Sequence, residues 1–301
     1  MVSLSFDRNF DVLPGVTTTL SPLVRRVLAD NPGPFTFKGT ASFIVGHGEV
    51  AIIDPGPDSE THLAALLAAV KGERVSHILV THSHLDHSPL ARRLQQVTGA
   101  TIAGHELAAG RDRQDVDGPR LDASIDADFD PDIRLRHGER ITGAGWTLDG
   151  VFTPGHMSNH MSYALNEEKA LFCGDHVMGW ATSVIAPPDG NMGQYFASLR
   201  LLLERDDDVY YPAHGPSRRD PKTLVRAYLV HRKMREESII ARLKAGDRSI
   251  GDIVKANYAD IDSRLHAAAG LSTLAHIEHL IERGLVREGP RGASGVQYFA
   301  T

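Results

Sequence analysis

Three histidines and an aspartate lie within six consecutive residues, in the segment His82-Ser83-His84-Leu85-Asp86-His87. Imidazole and carboxylate groups are the ligands that borderline divalent metals such as zinc prefer. The apolar run Ile78-Leu79-Val80 comes shortly before and is typical of a short buried strand. Because a strand end followed by a loop is a rigid platform for ligands, the segment predicts a metal site rather than a chance run of surface histidines.

Further candidate ligands follow, each in a turn that contains Gly or Pro after an apolar stretch. They are His156 in Thr153-Pro154-Gly155-His156, Asp175 in Cys173-Gly174-Asp175, and His214 in Pro212-Ala213-His214-Gly215. Gly and Pro suit places where the chain turns sharply and the backbone approaches a ligand. Seven ligands are enough for two metals that share a carboxylate. Two divalent ions roughly 3.5–4 Å apart can activate a water as hydroxide, which attacks a carbonyl or phosphorus.

The order and surroundings of these motifs resemble the metallo-β-lactamase superfamily. The matching residues run from Asp54, in Ile52-Ile53-Asp54-Pro55-Gly56, through the histidine cluster to His214. The resemblance implies an α/β fold, in which a sandwich of two β-sheets is flanked by helices (αββα). It also implies a dinuclear metal site at one edge of that sandwich.

Carried over position by position, the resemblance implies a ligand for every candidate. The first metal would be held by His82, His84 and His156, the second by Asp86, His87 and His214, with Asp175 as the bridge. Asp54 would support the site without binding metal. Cys173 lies in the apolar run before the bridging residue, so we expect a small buried core residue there, unlike the Cys ligand of penicillin-hydrolysing members.

Residues beside these motifs are candidates for proton transfer and for support of the ligands. Asp86 is suited to orient the nucleophile and accept its proton, since it is both a ligand and a carboxylate. His160 lies four residues after His156, and His176 directly follows Asp175. Either could donate a hydrogen bond to a ligand. The alternative is a core histidine for the first and a polar residue at the rim for the second.

Two loops are candidates for substrate contact. The stretch from Arg111 to Glu139 is rich in Asp and predicts a long irregular loop, which is either functional or plain solvated surface. The loop after Asp175 should reach over the metals. We expect substrate contacts there through Trp180 or Tyr195, with simple packing as the alternative.

Composition indicates an ordinary enzyme with one large domain and a smaller one. The chain has 301 residues, of which 42% are hydrophobic and 23% are charged. A single Cys excludes a disulfide framework and fits a reducing compartment. The first twelve residues are polar, which predicts no signal peptide, and no run of about 18 apolar residues predicts a membrane span. We therefore expect a cytoplasmic protein.

The predicted elements divide the chain near residue 220. Strands are expected over 41–45 and 50–53, and a helix over His62–Val70. Asp220-Pro221 is a good helix start, and a helix should run to about Ala245. A helix from Ser249 and helical stretches over 262–269 and 272–283, closed by Gly270 and Gly284, should follow. A hairpin of 285–286 and 296–299 completes the pattern.

Helices followed by a hairpin predict a C-terminal winged-helix domain over 220–301, after a catalytic domain over 1–219. With Tyr211-Pro-Ala-His214-Gly-Pro216, His231-Arg232 and Arg235-Glu236, this tail resembles the β-lactamase-like protein 2 family. That family includes an animal single-strand-specific endoribonuclease and bacterial members described only as hydrolases.

Charge argues weakly against a nucleic-acid role. Residues from 221 onward carry 13 basic and 9 acidic side chains, whereas the remainder carries a net charge of −10, within a total of −6. An acidic catalytic domain is poorly suited to a polyanion, and a groove-reading helix would normally be rich in Arg or Lys. We expect the tail to form a wall of the cleft or a homodimer contact, not a sequence-specific DNA reader.

Three functions remain open. The first is hydrolysis of an ester, thioester or lactone by a metal-bound hydroxide, with a small-molecule substrate. The second is a metal-dependent endoribonuclease or phosphodiesterase acting on single-stranded RNA. The third, a nucleic-acid-binding regulator with a vestigial site, is disfavoured by the intact ligand set. We expect two divalent ions, zinc by default, although iron or manganese also suits such ligands.

Overall fold

The computed structural model describes residues 4–107, 125–259, 266–292 and 295–301. Within these ranges, two β-sheets pack face to face. The first sheet has the order β1 to β7, with strands Thr17–Thr19, Val24–Leu28, Ala41–His47, Glu49–Ile53, Arg74–Val80, Thr101–Gly104 and Ile133–Arg134. Strands β1 to β4 pair antiparallel in succession, and β4 to β7 pair parallel.

The second sheet has the order β12-β11-β10-β9-β8 among the described residues. Its strands are β8 (Arg140–Gly143), β9 (Trp146–Phe152), β10 (Met161–Leu165), β11 (Ala170–Gly174) and β12 (Val209–Pro212). All pairs are antiparallel except β11 with β12, which run parallel. Strand β9 therefore points the same way as β11 and β12.

Apolar residues on both faces of the strands explain the layered packing. In β3, Phe43 and Val45 face the core between the sheets, whereas Ile44 faces the helices outside. Alternate residues of a strand point to opposite faces, so a strand covered on both sides is apolar throughout. The predicted strands over 41–45 and 50–53 are confirmed within β3 and β4.

Helices cover the outer faces. Against the first sheet lie α1 (Glu60–Ala69), which confirms the helix predicted over His62–Val70, and α2 (Leu90–Thr98). Against the second sheet lies α3 (Met192–Glu204). The layers thus follow the predicted αββα order. No helix among the described ranges is long and apolar enough to cross a membrane.

Residues 221 onward form helices and a hairpin. These are α4 (Pro221–Ala245), α5 (Ile250–Asn257), α6 (His266–Glu282), β13 (Val286–Gly292) and β14 (Gly295–Ala300). The hairpin is antiparallel and longer than predicted. The first half of α4 packs into the core outside the second sheet, while its second half packs on the hairpin side. Helix α4 therefore connects the two parts of the chain.

The predicted helix stop at Gly270 is wrong, because α6 runs through it without a break. A glycine inside a helix costs only about 1 kcal/mol relative to alanine. The neighbouring Ala269 and Leu271 are buried, and their packing outweighs that cost. The predicted stop at Gly284, which has a φ of +71°, is confirmed. Residues 260–265, which include the predicted start at 262, lie outside the described residues.

The predicted irregular loop from Arg111 to Glu139 is only partly described. Residues 108–124 lie outside the described residues. The later part is not wholly irregular, since Ile133–Arg134 forms β7 and pairs with β6. Asp132 stabilises that pairing, because its carboxylate accepts a hydrogen bond from the Ile102 amide at 2.9 Å.

Candidate metal centre

All seven predicted ligands come from the carboxyl ends of strands that share one edge of the sandwich. His82, His84, Asp86 and His87 follow β5, His156 follows β9, Asp175 follows β11, and His214 follows β12. Hydrogen bonds join the two sheets at this edge, from Met161 N to Thr81 O at 2.7 Å and from Ala41 N to Ala213 O at 2.8 Å. Loops distant in sequence therefore converge on one place.

One group of ligands consists of three imidazoles. His84 Nδ1 lies 2.9 Å from His82 Nε2 and 3.1 Å from His156 Nε2. Burial lowers the pKa of all three side chains, that of His84 to about 3 and that of His82 well below its usual value. These imidazoles are therefore uncharged at neutral pH, which is the form that binds a metal.

The second group combines two imidazoles with a carboxylate. Asp86 Oδ2 lies 3.2 Å from His214 Nε2 and 3.3 Å from His87 Nε2. Burial raises the pKa of Asp86, but the two nearby imidazoles outweigh it and hold that pKa well below its usual range. Burial likewise lowers the pKa of His214, but the Asp175 and Asp86 carboxylates raise it to about 10.

Asp175 lies between the two groups, with one oxygen toward each. Its Oδ1 is 3.3 Å from His214 Nε2 and 3.8 Å from His87 Nε2. Its Oδ2 is 3.7 Å from His156 Nε2. The ligand atoms of three trios lie within 4.8 Å of one another, namely His82-His84-His156, His82-His87-Asp175 and Asp86-His87-His214. This placement suits a shared ligand.

Asp54 stands behind the ligands and fixes their backbone. It follows β4 with a φ of +50° and is 1% exposed. Its carboxylate accepts hydrogen bonds from Thr81 N at 2.7 Å and Thr81 Oγ1 at 2.8 Å. Its Oδ2 also lies 3.0 Å from His87 Nδ1. Asp54 thus ties the end of β5 to a ligand ring without joining the ligand atoms.

Glycines allow the close approach of backbone at two of these turns. Gly155 has a φ of +138°, and a Cβ there would lie 2.4 Å from Tyr195 Cα in α3. Gly174 has a φ of +48°, and a Cβ there would lie 2.6 Å from His160 Nε2. A side chain at either position would push its neighbour away and displace the ligand that follows.

The two residues predicted to contact substrate, Trp180 and Tyr195, lie in different places. Trp180 lines the cavity above the site and stacks on Phe37 with ring centroids 4.8 Å apart. Tyr195 is fully buried outside the cavity wall, where its hydroxyl donates to His176 O at 2.7 Å. Tyr195 therefore packs rather than contacting substrate, which is the alternative weighed for it.

His160 and His176 are both fully buried behind the ligands. His160 Nδ1 lies 2.9 Å from Thr153 Oγ1, and its ring centroid is 5.2 Å from that of His82. His176 is not at the rim: neither of its ring nitrogens has a hydrogen-bond partner among the described residues, and burial lowers its pKa to about 3. Neither ring donates a hydrogen bond to a predicted ligand in the described part of the chain.

Two backbone carbonyls that hold ligand rings carry no sequence signal. His156 Nδ1 donates to Val184 O at 2.5 Å, and His214 Nδ1 lies 3.2 Å from Gly39 O. Such carbonyls fix the ring orientation and leave Nε2 as the ligand atom. Any residue type offers a carbonyl, so only the fold reveals these two. The importance of Thr81 could have been suspected, because it sits between the strand and His82.

The donor set fits divalent metal ions because two of its buried atoms lack satisfactory partners. His87 Nε2 and Asp175 Oδ1 are buried, and although each lies 3.3 Å from a neighbouring polar atom, neither makes a well-aligned hydrogen bond among the described residues. Unpartnered buried polar atoms are costly, and a cation between them would remove that cost. Cys173 belongs to none of the trios and lies in the core outside the second sheet, where its Sγ donates to Val177 O at 3.2 Å.

A cavity of about 440 Å³ opens above the ligands. Its floor includes His84, Asp86, His156, Asp175 and His214. Its walls are mainly apolar and come from the loop before β3, from Leu85, and from residues 178–189 after β11. The floor is thus polar and the walls are apolar, as in sites that place a reactive bond of an apolar ligand over a few polar groups.

Comparisons with known proteins agree with this geometry. A family model described as the metallo-beta-lactamase superfamily matches residues 35–214, and one described as the beta-lactamase associated winged helix domain matches residues 249–293. The Beta-lactamase-like protein 2 homolog of Caenorhabditis elegans is 30% identical over 273 residues, which cover 89% of this chain and 87% of that relative.

A fungal relative and a crystal structure extend the comparison. The Atrochrysone carboxyl ACP thioesterase of Claviceps purpurea is 32% identical over 241 residues, covering 78% of this chain and 69% of that relative. The crystal structure of a Beta-lactamase domain protein from Burkholderia ambifaria superposes with a TM-score of 0.80 at 22% identity, covering 98% of this chain and 97% of that one. The chain therefore belongs to the metallo-beta-lactamase superfamily and carries a C-terminal winged-helix domain.

Proposed function

We propose that the protein is a metal-dependent hydrolase of esters and thioesters with bulky apolar acyl groups. The observation that carries this proposal is the apolar cavity directly above the ligand cluster. A scissile bond placed on the polar floor would leave the acyl group against the apolar walls, where its burial contributes about 25 cal/mol per Å².

Two exposed side chains at the cavity support an apolar substrate. Phe35 is 44% exposed and Leu85 is 46% exposed, although both are large and apolar. Leu85 lies between the ligands His84 and Asp86, so it sits beside any bond that reaches the floor. Exposed apolar residues that line a cavity commonly mark a ligand site. An acyl group would cover both.

The seven candidate ligands would divide between two metal ions. His82, His84 and His156 would hold one ion, Asp86, His87 and His214 would hold the other, and Asp175 would reach both. Bound there, divalent ions would supply an activated water and would stabilise negative charge on oxygen. Burial lowers the pKa of His82, His84 and His156, so the donor nitrogens of these three imidazoles stay uncharged.

Asp86 is suited to accept a proton during the reaction. Its side chain is 26% exposed, whereas those of His87 and His214 are at most 1% exposed, and its carboxylate borders the cavity. Thr40 Oγ1 lies 3.4 Å from Asp86 Oδ2 and helps to orient it. With Oδ2 directed at His87 and His214, a carboxylate that borders the cavity and stays ionised can take a proton at Oδ1 and release it to the leaving group.

The walls favour an acyl group over a phosphodiester. Among the described residues that line the cavity, none is Lys or Arg. Phosphates in proteins are usually bound by such side chains. Helix α6, which would be the groove-reading helix of a winged-helix DNA binder, is mostly buried, and its exposed positions are Ala267 and Glu282. RNA cleavage is therefore an outcome for the test to exclude.

The name of one relative supports a thioester as the bond that is hydrolysed. One similar fungal protein is named an acyl-carrier-protein thioesterase. A thioester carbonyl is more electrophilic than an amide, and its apolar acyl part matches the walls described above. Oxygen esters share the same carbonyl chemistry and remain within the proposal.

The test is a series of acyl-coenzyme A thioesters of increasing chain length, offered to metal-loaded protein. We expect kcat/KM to rise by about fourfold per added methylene until the cavity is filled, since each buried methylene contributes about 0.8 kcal/mol. Asp86→Ala should abolish hydrolysis. Asp206→Ala, which removes a carboxylate that is 78% exposed, is the matched control and should be as active as wild type.

Single-stranded RNA is assayed in parallel with the same proteins. Hydrolysis of thioesters that is independent of chain length would contradict the role of the walls. RNA cleavage that is lost in Asp86→Ala, without thioester hydrolysis, would replace the proposal with a metal-dependent nuclease.

A further inference from the structure

Helix α4 holds the loop that forms much of the cavity wall. Tyr228 Oη lies 2.7 Å from both Met178 O and Ala181 O, and it accepts a hydrogen bond from Met178 N at 3.1 Å. One turn further along, Arg232 Nη2 donates to Ser183 O at 2.5 Å. Residues four apart share one face of a helix, so this face of α4 is directed at the loop.

The contact made by Arg232 leads directly to a candidate ligand. Ser183 precedes Val184, whose carbonyl accepts the hydrogen bond from His156 Nδ1 at 2.5 Å. The two carbonyls belong to consecutive peptide groups, and each peptide group is planar and rigid. The two groups share the Val184 Cα, so we expect a shift of Ser183 O to displace Val184 O and turn the His156 ring, whose Nε2 is 3.1 Å from His84 Nδ1.

Because Arg232 is buried, its hydrogen bond to Ser183 O is needed to offset the cost of burying its charge. The residue is 3% exposed, and its guanidinium lies 5.1 Å from the centre of the Tyr195 ring. Burying a charged group is costly unless it is hydrogen-bonded. Ser183 O supplies such a bond, and the Ser183 hydroxyl in turn donates to His176 O at 2.9 Å. The loop and the arginine therefore fix each other.

We infer that Arg232 is a positioning residue for the metal centre, acting through the 183–184 backbone on the His156 ring. The inference rests on the proposed function in one respect, that His156 binds a metal ion. It also assigns a role to α4, all of which lies between the regions matched by the two family models. On this account the helix that leads into the winged-helix domain also shapes the active site.

The test measures zinc affinity, which a purely structural role would leave unchanged in folded protein. Wild type, Arg232→Met and Arg232→Lys are titrated with Zn²⁺ against a competing chromophoric chelator. Arg235→Met is the matched control, because Arg235 is on the same helix but donates to Asn257 O at 3.2 Å, away from the loop. Circular dichroism and thermal unfolding report whether each variant is folded.

We expect Arg232→Met to bind one of two zinc ions about 10- to 100-fold more weakly, the usual loss when a group that orients a ligand is removed. The other ion should bind within about twofold of wild type. Arg232→Lys should recover part of the loss, since an ammonium can still donate to Ser183 O. Arg235→Met should bind both ions as wild type does.

A folded Arg232→Met protein with wild-type zinc affinity would overturn the inference. If that variant does not fold, Tyr228→Phe decides, because it removes only the hydroxyl that holds the same loop. Weaker zinc binding by folded Tyr228→Phe would support the inference, and unchanged binding would overturn it.

Failure of the proposed function gives a different result. Wild type that binds no zinc would contradict both the proposed function and the positioning role of Arg232. Wild type that binds zinc but hydrolyses no thioester would contradict the proposed substrate, and the affinities of the Arg232 variants would still test the positioning role.

Discussion

Among the described residues, two buried polar clusters look alike by composition but differ in how their carboxylates are paired. The first is the set of seven candidate ligands at the sheet edge. The second, here called the α4–α6 cluster, consists of Glu236 on α4 with His276, His279 and Arg283 on or just after α6. Both combine histidines with at least one buried carboxylate.

In the α4–α6 cluster the carboxylate is fully paired. Glu236 Oε1 accepts from His279 Nδ1 at 2.6 Å, and Glu236 Oε2 accepts from Arg283 Nη1 at 2.8 Å. Burial raises the pKa of Glu236, but its hydrogen bonds with neighbouring histidines lower it to about 2. The cluster therefore holds its own charge without any further partner.

At the sheet edge the polar atoms instead converge on one another. Imidazole nitrogens approach to 2.9 Å and 3.1 Å, and buried Asp175 Oδ1 makes no hydrogen bond within the described ranges. In the α4–α6 cluster the ring nitrogens of His276 have no hydrogen-bond partner among the described residues, but both oxygens of the carboxylate do. A carboxylate paired in this way serves stability, whereas polar atoms that converge are arranged for something bound between them. Burial and residue type alone would not separate the two.

The largest effect is expected at the shared ligand. Asp175→Ala should lose one or both ions and reduce hydrolysis by at least about 10³-fold, because the metals contribute several kcal/mol to the transition state. Metal analysis of purified protein and steady-state rates check this prediction. A fully active variant with wild-type metal content would remove the basis for a dinuclear site and for the comparison.

The α4–α6 cluster should respond to acid through His276. This side chain faces Glu236, Arg232, His279 and His231, and its Nδ1 is 3.7 Å from Glu236 Oε1. Burial lowers the pKa of His276 from 6.5 to about 4. The folded state thus disfavours protonation, so its stabilising contribution is complete above pH 6.5 and is lost as the pH falls toward 4.

Denaturant unfolding of wild type and His276→Gln at pH 7 and pH 5 measures this contribution. Wild type should lose about 2 kcal/mol more than the variant over that interval, since each unit of pKa shift corresponds to 1.36 kcal/mol. A chelator in every sample removes metal binding from the comparison. Equal losses in both proteins would show that His276 is not held neutral by burial.

A loss of similar size is expected when the carboxylate of the same cluster is neutralised. Glu236→Gln should cost about 2 kcal/mol of unfolding free energy, because a charged hydrogen bond to Arg283 is weakened in a buried place. Zinc content and hydrolysis should stay near wild type. Glu237→Gln, one residue along and exposed, is the matched control and should change neither. Lost metal with unchanged stability would reverse the roles of the two clusters.

The convergence of the candidate ligands could be anticipated from sequence because their signals are local. His82, His84, Asp86 and His87 lie in one turn after a strand, and the turns of His156, Asp175 and His214 each carry Gly or Pro. These signals depend on neighbouring residues only. The same holds for α4, whose predicted range from Pro221 to Ala245 is the observed one.

What escaped prediction depends on contacts between distant segments. The carbonyls of Val184 and Gly39 hold ligand rings, and Arg232 reaches Ser183 across 49 positions of sequence. Tyr195 looked like a substrate contact because its helix follows the loop over the site, yet α3 packs that side chain inward. Gly270 was predicted to end a helix because the sequence pattern around a glycine does not show that the neighbouring Ala269 and Leu271 are buried.

The smallest effect is expected from Cys173→Ser, which tests whether a residue close in sequence to a candidate ligand is itself a ligand. Cys173 lies two residues before Asp175, yet its side chain is fully buried in the core outside the second sheet, and burial raises the pKa of its thiol. Cys173→Ser keeps a donor for Val177 O, so we expect a cost of about 1 kcal/mol and unchanged zinc content. A fall to one zinc per chain would make the thiol a ligand. Gly174, with a φ of +48°, turns the chain between Cys173 and Asp175, so closeness in sequence to a candidate ligand gives no reason to expect that result.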